Sequence, residues 1–358
     1  RRGYKPQPLR RIYIPKRSGT KKRPLSIPTM YDRAMQALYK LELTPVAETT
    51  ADPNSYGFRE GRRCADATAA GFNALAKPNS APWILDADIQ GCFDNIRKDW
   101  MLDHIPTDRR TLRQWLDAGY VENGHLYPTR KGTPQGGVIS PTLMNMTLDG
   151  LEQAVLQAVP RRHRVNVVRY ADDLIVTGKS RRLLEKMVRP ALDAFLGERG
   201  LQLSDEKTAI THIKHGFAFL GQTFRKHAGT LHITPSNDSV KALLRKLGTL
   251  IRNHVNAPMP ALVKQLNQAL RGWGNYHRHV VAGAAFSRVN LYVYRQLWRM
   301  LRRRHSGKST KWLTRRYWNT TGPHRVFVAT AHTRKGQRTY PVMRLTSTNS
   351  QRYVKVRA

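Results

Sequence analysis

Apolar residues follow two periods along this chain. Up to about residue 235 they gather in short β-branched runs between polar turns, and from residue 239 they recur every three to four positions. The first pattern predicts strands mixed with helices, and the second predicts helices alone. In residues 164–178, RVNVVRYADDLIVTG, the apolar runs 165–168 and 174–176 flank Tyr170-Ala171-Asp172-Asp173, which predicts a hairpin with two adjacent carboxylates at its turn. In residues 83–89, WILDADI, a period of two puts Ile84, Asp86 and Asp88 on one face. A third carboxylate can therefore sit beside the first two.

The remaining pattern is coarser. Residues 1–29 are basic and Pro-rich, with β-like pieces at 11–14 and 25–27 around the turn Ser18-Gly19-Thr20. Asp32 is placed to cap a helix whose apolar face carries Ala34, Ala37, Leu38 and Leu41. The loop NSYGFREGRRC leads to a helix over 65–76, and a bend at 90–94 precedes another over 97–105. In GTPQGGVISP, residues 132–141, Ser140 reads as an N-cap and Pro141 as the first helical residue, with Met144, Leu148, Leu151 and Val155 as the buried stripe. Residues 180–199 predict an amphipathic helix interrupted at Pro190 and closed by Gly200, and FAFLGQTF, 217–224, a strand with a glycine bend. Beyond 239, three stripes predict a helical bundle: Val240 to Ile251, Leu262 to Trp273, and Phe286 to Met300. Short strands in HRVFVAT and YVKVR then predict a small separate lobe from residue 306.

A length of 358 residues suffices for two or three domains. The net charge of +38 is uneven: Asp238 is the last acid, and residues 239–358 hold 25 Lys and Arg, leaving +13 for the rest. Solvated surfaces mix both signs, so a segment of one sign predicts a polyanionic partner, nucleic acid. Cys64 and Cys92 lack partners at metal-ligand spacing and read as reduced residues of a cytosolic protein. No apolar run is long enough for a membrane span, no signal peptide is visible, and the start at RRGYKPQPLRR without Met suggests a piece of a longer protein.

An Asp-Asp turn by itself is an ordinary hairpin turn. Its pairing with the acidic strand changes the reading, because crowded carboxylates repel one another unless a divalent cation neutralises them, and hard oxygen ligands suit Mg²⁺. That is the frame of two-metal phosphoryl transfer.

Taken in order, the stretches RRIYIPKRSGTKKRPLSIPT, DRAMQALYKLEL, NSYGFREGR, DADIQGCFDNI, GTPQGGVISPTLMNMTLD, VVRYADDLIV, LSDEKT, FAFLGQTF and RGWGNYHRHV resemble the reverse transcriptase and maturase proteins encoded by bacterial group II introns. The resemblance implies an α+β right-hand polymerase: fingers and palm over 1–235, an all-α thumb or maturase bundle (domain X) over 236–305, and a basic DNA-binding tail over 306–358 without the endonuclease domain of many relatives. It implies that Asp88 and Asp172 bridge two Mg²⁺ ions, with Ile89 as a further ligand and Asp173 completing the acidic cluster. Lys16 and Arg23 would clasp the triphosphate of a dNTP, although the turn between them is one residue longer than the family pattern, so Lys21 or Lys22 could substitute for Lys16. Phe93 would act as the steric gate against a ribose 2′-hydroxyl, and Gln135 would contact the nascent base pair. RNA contacts fall to Arg271, Tyr276, His277, Arg299, Arg302, Arg303 and Arg304, whereas Trp273 reads as core. The implied partners are intron RNA, an RNA template with a DNA primer or target DNA, and dNTPs, with no membrane. The implied location is the bacterial cytoplasm, on the nucleoid when target DNA is bound. The alternatives are a maturase with a vestigial polymerase, and a reverse transcriptase domesticated for defence or spacer acquisition.

Overall fold

A computed structural model describes residues 3–15, 22–129, 131–319, 325–333 and 336–350. They form two compact units that divide near Phe217. The class is α+β, as expected.

The first unit opens with the antiparallel hairpin β1 (Leu9–Pro15) and β2 (Lys22–Ile27), with Ile12 opposite Leu25. Helices α1 (Met30–Thr50) and α2 (Cys64–Leu75) lead to β3 (Trp83–Asp88). Three short helices follow, α3 (Cys92–Asn95), α4 (Lys98–His104) and α5 (Arg109–Asp117). Strands β4 (Tyr120–Glu122) and β5 (His125–Tyr127) then extend the first hairpin into a sheet of order β2-β1-β4-β5. Next come α6 (Ser140–Leu148), α7 (Leu151–Ala158), β6 (Asn166–Tyr170) and β7 (Asp173–Gly178). The helical segment after Ser180 breaks as predicted: α8 (Arg181–Leu183) runs into one π turn (Leu184–Val188) before α9 (Arg189–Glu198), because Pro190 has no N–H to give the ladder. Strand β8 (Ala209–His212) completes a second sheet of order β6-β7-β3-β8. Its middle is dry: Leu85, Ala87, Leu174 and Val176 pack with Met144, Leu148, Leu151 and Val155 in one core. Each fully buried Leu there contributes on the order of 2 kcal/mol of transfer free energy, which fixes the register of the acids on the same strands.

Three local expectations change. Thr29, not Asp32, caps α1, its hydroxyl accepting from the Asp32 N–H at 3.2 Å. The apolar face of that helix is exposed, with Leu38 at 59% and Leu41 at 72%, while Asp32 and Gln36 are buried. The cause is polar: Asp32 accepts from the Tyr4 hydroxyl at 2.7 Å, and Gln36 Oε1 accepts from Val138 N at 2.8 Å, so the hydrophilic side of α1 turns inward. Ser140 likewise lies inside α6, whose cap is Ile139, and its hydroxyl accepts from Thr133 instead.

The FAFLGQTF stretch is two strands, β9 (Phe217–Phe219) and β10 (Gln222–His227), turned by Leu220 and Gly221 in the left-handed region, and β11 (Thr230–Pro235) completes the meander. The three predicted helices are α10 (Asn237–Asn253), α11 (Met259–His277) and α12 (Gly283–Arg304). After them come α13 (Thr310–Tyr317), β12 (Trp318–Asn319), β13 (Val326–Thr333) and β14 (Gly336–Pro341).

The separate lobe expected from residue 306 is not separate. Leu313, Tyr317, Trp318, Phe327, Val342 and Leu345 share one core with Leu247, Leu266 and Leu297 of the bundle. Two asparagines clamp the joint: Asn267 donates to Pro341 O and accepts from Met343 N, both at 2.8 Å, and Asn290 accepts from Leu345 N at 2.9 Å. Gly274 makes room, since a Cβ there would lie 2.8 Å from Leu345 Cδ2. The YVKVR stretch lies outside the described residues. Among those described, no helix is long and apolar enough to cross a membrane.

Candidate active site

The hairpin and the acidic strand meet as their patterns require. Residues Ala171 and Asp172 form the two-residue turn between β6 and β7, and Ala171 takes φ 57°, the left-handed conformation that tight hairpin turns demand. Asp173 pairs directly with Asp88 across β7 and β3, a register that holds the two Cβ atoms about 5 Å apart. Ile89 N donates to Asp172 O at 3.2 Å and anchors the turn to the end of β3.

Asp86, Asp172 and Asp173 do not ionise freely. Burial, then repulsion from Asp172 and Asp88, pushes Asp173 up to about 6. Burial followed by the charges of Asp173 and Asp88 raises Asp86, on the same face of β3, to about 7. Asp172 is raised chiefly by burial, opposed in part by Lys207 and Arg23. Lys207 Nζ donates to Asp88 Oδ2 and is itself held protonated by that bond. The turn carrying Lys207 is tied to the same strand, because Ser204 N donates to Asp88 O at 2.8 Å. This donor set suits a hard divalent cation: it is all carboxylate, crowded, partly buried, and already engages the ammonium of Lys207. Among the described residues, no group of three or more His, Cys, Asp or Glu side chains is placed to hold a metal ion.

The other expected groups surround this cluster. Arg23, exposed on β2, is near enough to Asp172 to favour its ionised form. Lys16 and Lys21 lie outside the described residues, while Lys22 pairs with Pro15 at the end of the hairpin. Phe93 is half-buried, its ring edge-on to Phe58 at 6.4 Å. Its carbonyl accepts from Thr133 N at 2.7 Å, and Gln135 O accepts from Ser26 N at 2.7 Å, so the PQGG loop is stitched to both Phe93 and β2. Gln135 Nε2 reaches Asp94 Oδ2 at 3.3 Å. A cavity of about 510 Å³ opens beside this loop, lined by Arg11, Ser26, Asp94, Tyr120 and Gln135 among others.

Sequence reading missed what supports the turn. The NSYGF loop runs under it: Tyr56 N donates to Arg169 O, Arg169 N donates to Asn54 O, both at 2.9 Å, and a Cβ on Gly57 would lie 2.4 Å from Ala171 N. Asn145 Nδ2 donates to Gly57 O at 2.7 Å. Arg169, wholly buried, donates to Asp149 Oδ1 at 2.8 Å, and burial pushes Asp149 up to about 6 despite that partner. The signal was present as an Asn, a Gly and several Arg in one loop, but which contacts they make depends on residues about a hundred positions away. Lys207, quoted only as part of LSDEKT, was missed for the same reason.

Of the expected RNA contacts, Arg271, Tyr276, Arg299, Arg302 and Arg303 are exposed on the second unit. His277 is a correction: it is fully buried, its Nε2 3.2 Å from Ser239 Oγ, and burial pushes it down to about 4. Arg304 is another, for its guanidinium donates to Val255 O at 3.1 Å and Ala257 O at 2.7 Å and closes the loop between α10 and α11. Trp273 packs against the core and donates to Ser239 Oγ at 3.0 Å, as expected of a core residue.

The chain is similar to known proteins. The family described as reverse transcriptase (RNA-dependent DNA polymerase) matches residues 14–224, and the group II intron maturase-specific domain matches 240–318. Group II intron-encoded protein LtrA of Lactococcus lactis subsp. cremoris is 29% identical over 313 residues, covering 67% of this chain and 52% of LtrA. Protein YkfC of Escherichia coli K12 is 29% identical over 279 residues, covering 67% of this chain and 73% of YkfC. A solved telomerase from Candida albicans, in complex with a fragment of telomeric RNA, aligns at TM-score 0.49 and 13% identity over 86% of this chain and 63% of its own. The chain spans about half the length of LtrA. With the match over residues 14–224 covering more than half of its length, the chain belongs to the reverse transcriptase family, and the group II intron maturase-specific match follows at residues 240–318.

Proposed function

We propose that this chain is an RNA-directed DNA polymerase that copies RNA into cDNA from dNTPs, and that its second unit binds group II intron RNA to assist splicing and mobility. The observation that carries the polymerase reading is the acidic cluster at which Asp88, Asp172 and Asp173 meet, where the charge of Asp88 acts on Asp172 and the charges of Asp172 and Asp88 act on Asp173. Asp88 and Asp172, with the backbone at Ile89, would hold two Mg²⁺ ions, which when bound activate the primer 3′-hydroxyl and neutralise charge on the triphosphate. The chain's own residues do the rest. Arg23, and Lys16 or its neighbours on the same turn, clasp the phosphates with charge-assisted hydrogen bonds. Lys207, protonated beside Asp88, supplies positive charge next to the leaving pyrophosphate. Phe93, backed by Phe58, fills the space a 2′-hydroxyl would need, and Gln135 positions the sugar and base pair from a loop fixed by Thr133 and Ser26.

The intron reading rests on the maturase-specific match and on the acid-free segment after Asp238, whose exposed arginines suit phosphate contacts. It places the protein in the bacterial cytoplasm, on target DNA during mobility. The test is extension of a DNA primer annealed to an RNA template by the purified chain with four dNTPs and Mg²⁺. Full-length cDNA that disappears on chelation supports the reading, and no extension at any Mg²⁺ concentration refutes it.

A further inference from the structure

We propose that the second unit carries a pocket for one unstacked nucleobase, between α12 and the strands that follow it. The inference rests on the reading of that unit as a nucleic-acid binder and adds a site to it. A cavity of about 410 Å³, large enough for one nucleotide, is lined by Leu291 and Tyr294 of α12, Trp318 and Phe327 of the strands, and the two arginines Arg325 and Arg344.

Two features of the lining point to a base attached to a phosphate. The first is aromatic surface. Tyr294 packs on Trp318 with ring centroids 4.8 Å apart and keeps 37% of its surface exposed, and Leu291 beside it keeps 49%. An exposed ring backed by a packed aromatic cluster is a platform on which any base can stack. The second is uncompensated charge. The chain has no acid after Asp238, and no ion pair among the described residues involves a position beyond Lys207. Arg325 and Arg344 therefore meet their counter-charge outside the protein, and a phosphate beside the base supplies it. An apolar ligand would leave the arginines unmet, and a bare phosphate would leave the aromatic wall unused.

The site also fits the way proteins read RNA, in which single unpaired bases are splayed out and stacked while helices are read by shape. It lies where the maturase-specific match ends, since that match stops at residue 318 and half of the lining comes from 325–346.

The test uses the full chain and three RNA duplexes of one sequence: fully paired, with one unpaired nucleotide at the centre, and with an abasic nucleotide in that bulge. Binding is titrated at several salt concentrations. The bulged duplex binds about five- to tenfold more tightly than the paired one, the low end of what one stacked base contributes. The abasic bulge returns to the paired value. The substitution Leu291→Trp, which fills the mouth without removing a lining ring, abolishes the difference while the affinity and salt slope for the paired duplex stay as they were. Tyr294→Ala does the same through loss of the platform. The proposal is overturned if the abasic bulge binds as tightly as the intact one, since the bend alone is then recognised, or if Leu291→Trp keeps the discrimination while folding as the parent does. Absence of salt-dependent binding to all three duplexes is a different failure, that of the nucleic-acid reading itself. Matching DNA duplexes separate the two sources of such a base: discrimination shared with DNA assigns the pocket to the base alone, and discrimination confined to RNA adds the 2′-hydroxyl, either result supporting base capture.

Discussion

Gly57 is the position where a single methyl group should disable the acidic turn without touching an acid. A Cβ there would lie 2.4 Å from Ala171 N and 2.9 Å from Ala171 Cβ and Tyr170 C, all fixed parts of the hairpin that carries Asp172. Ordinary contact needs about 3.4 Å or more, so either the NSYGF loop or the turn must move by about 1 Å. The loop is held by Asn145 on Gly57 O, by Glu152 on Asn54, and by two backbone bonds to Arg169. Among the described residues, the two turn residues themselves are held by the bond from Ile89 N to Asp172 O and by the strand pairing that flanks them. The displacement therefore falls on Ala171 and Asp172. Gly57→Ala should cost about 1–3 kcal/mol of stability, as overpacking does, and slow single-turnover nucleotide addition about 100-fold, the penalty for a catalytic group displaced by about 1 Å. RNA affinity should not change. Gly197→Ala serves as the control, because nothing lies within 4 Å of its added Cβ. The assay is rapid-quench extension of a preannealed primer, with thermal unfolding of the same samples. A Gly57→Ala protein that extends at the parental rate would show that loop and turn are not coupled. One that is destabilised yet catalytically normal would place the displacement in the loop.

Three other expectations follow from named contacts. Phe93→Ala should raise incorporation of ribonucleotides relative to deoxynucleotides, measured as the ratio of kcat/KM values, and an unchanged ratio would return Phe93 to a packing role. Reversing the charges of Arg302 and Arg303, both exposed, should lower intron RNA affinity and flatten its log-log salt dependence by roughly one unit for each lost phosphate contact, while Arg304→Glu should instead destabilise the loop it closes; equal salt slopes in parent and double variant would make these two arginines a solvated face. His277, pushed down to about 4 in the fold against 6.5 unfolded, stays neutral while the unfolded chain takes up a proton, so its contribution is whole above pH 6.5 and is lost as pH falls toward 4, by about 3 kcal/mol; the parent minus His277→Gln difference in unfolding free energy should shrink over that window, and a difference that is constant with pH would contradict the burial.

The acidic centre was legible because it rests on a period of two. Once 83–89 and 164–178 read as strands, Asp88 could sit beside the Asp172-Asp173 turn, and the pairing of β3 with β7 puts it there. Helix boundaries in the bundle were legible for a similar reason, since the stripes from Val240 to Met300 are long and regular. What stayed hidden was set by partners distant in sequence. Leu38 and Leu41 have helical spacing, yet they face outward because Asp32 and Gln36 have hydrogen-bond partners inside. His277 follows a Trp and a Tyr as a stacking residue would, but α11 turns it toward Ser239. The tail from residue 306 has the short strands of an independent lobe, and only Asn267, Asn290 and Gly274 of the bundle reveal that the two share a core. Charge composition pointed to nucleic acid and could not separate an arginine that meets RNA from one, like Arg304, that holds a loop.

The central claim is that Asp88 and Asp172 are the groups through which this fold performs nucleotidyl transfer. It is tested most directly by measuring, side by side, single-turnover primer extension and RNA binding for the parent, Asp88→Asn and Asp172→Asn. Losing one metal-binding carboxylate removes stabilisation that exists only in the transition state. Both variants should therefore lose extension by at least about 1000-fold while RNA affinity stays within about twofold of the parent. Normal cDNA synthesis by either variant, or loss of RNA binding in step with extension, would contradict the account.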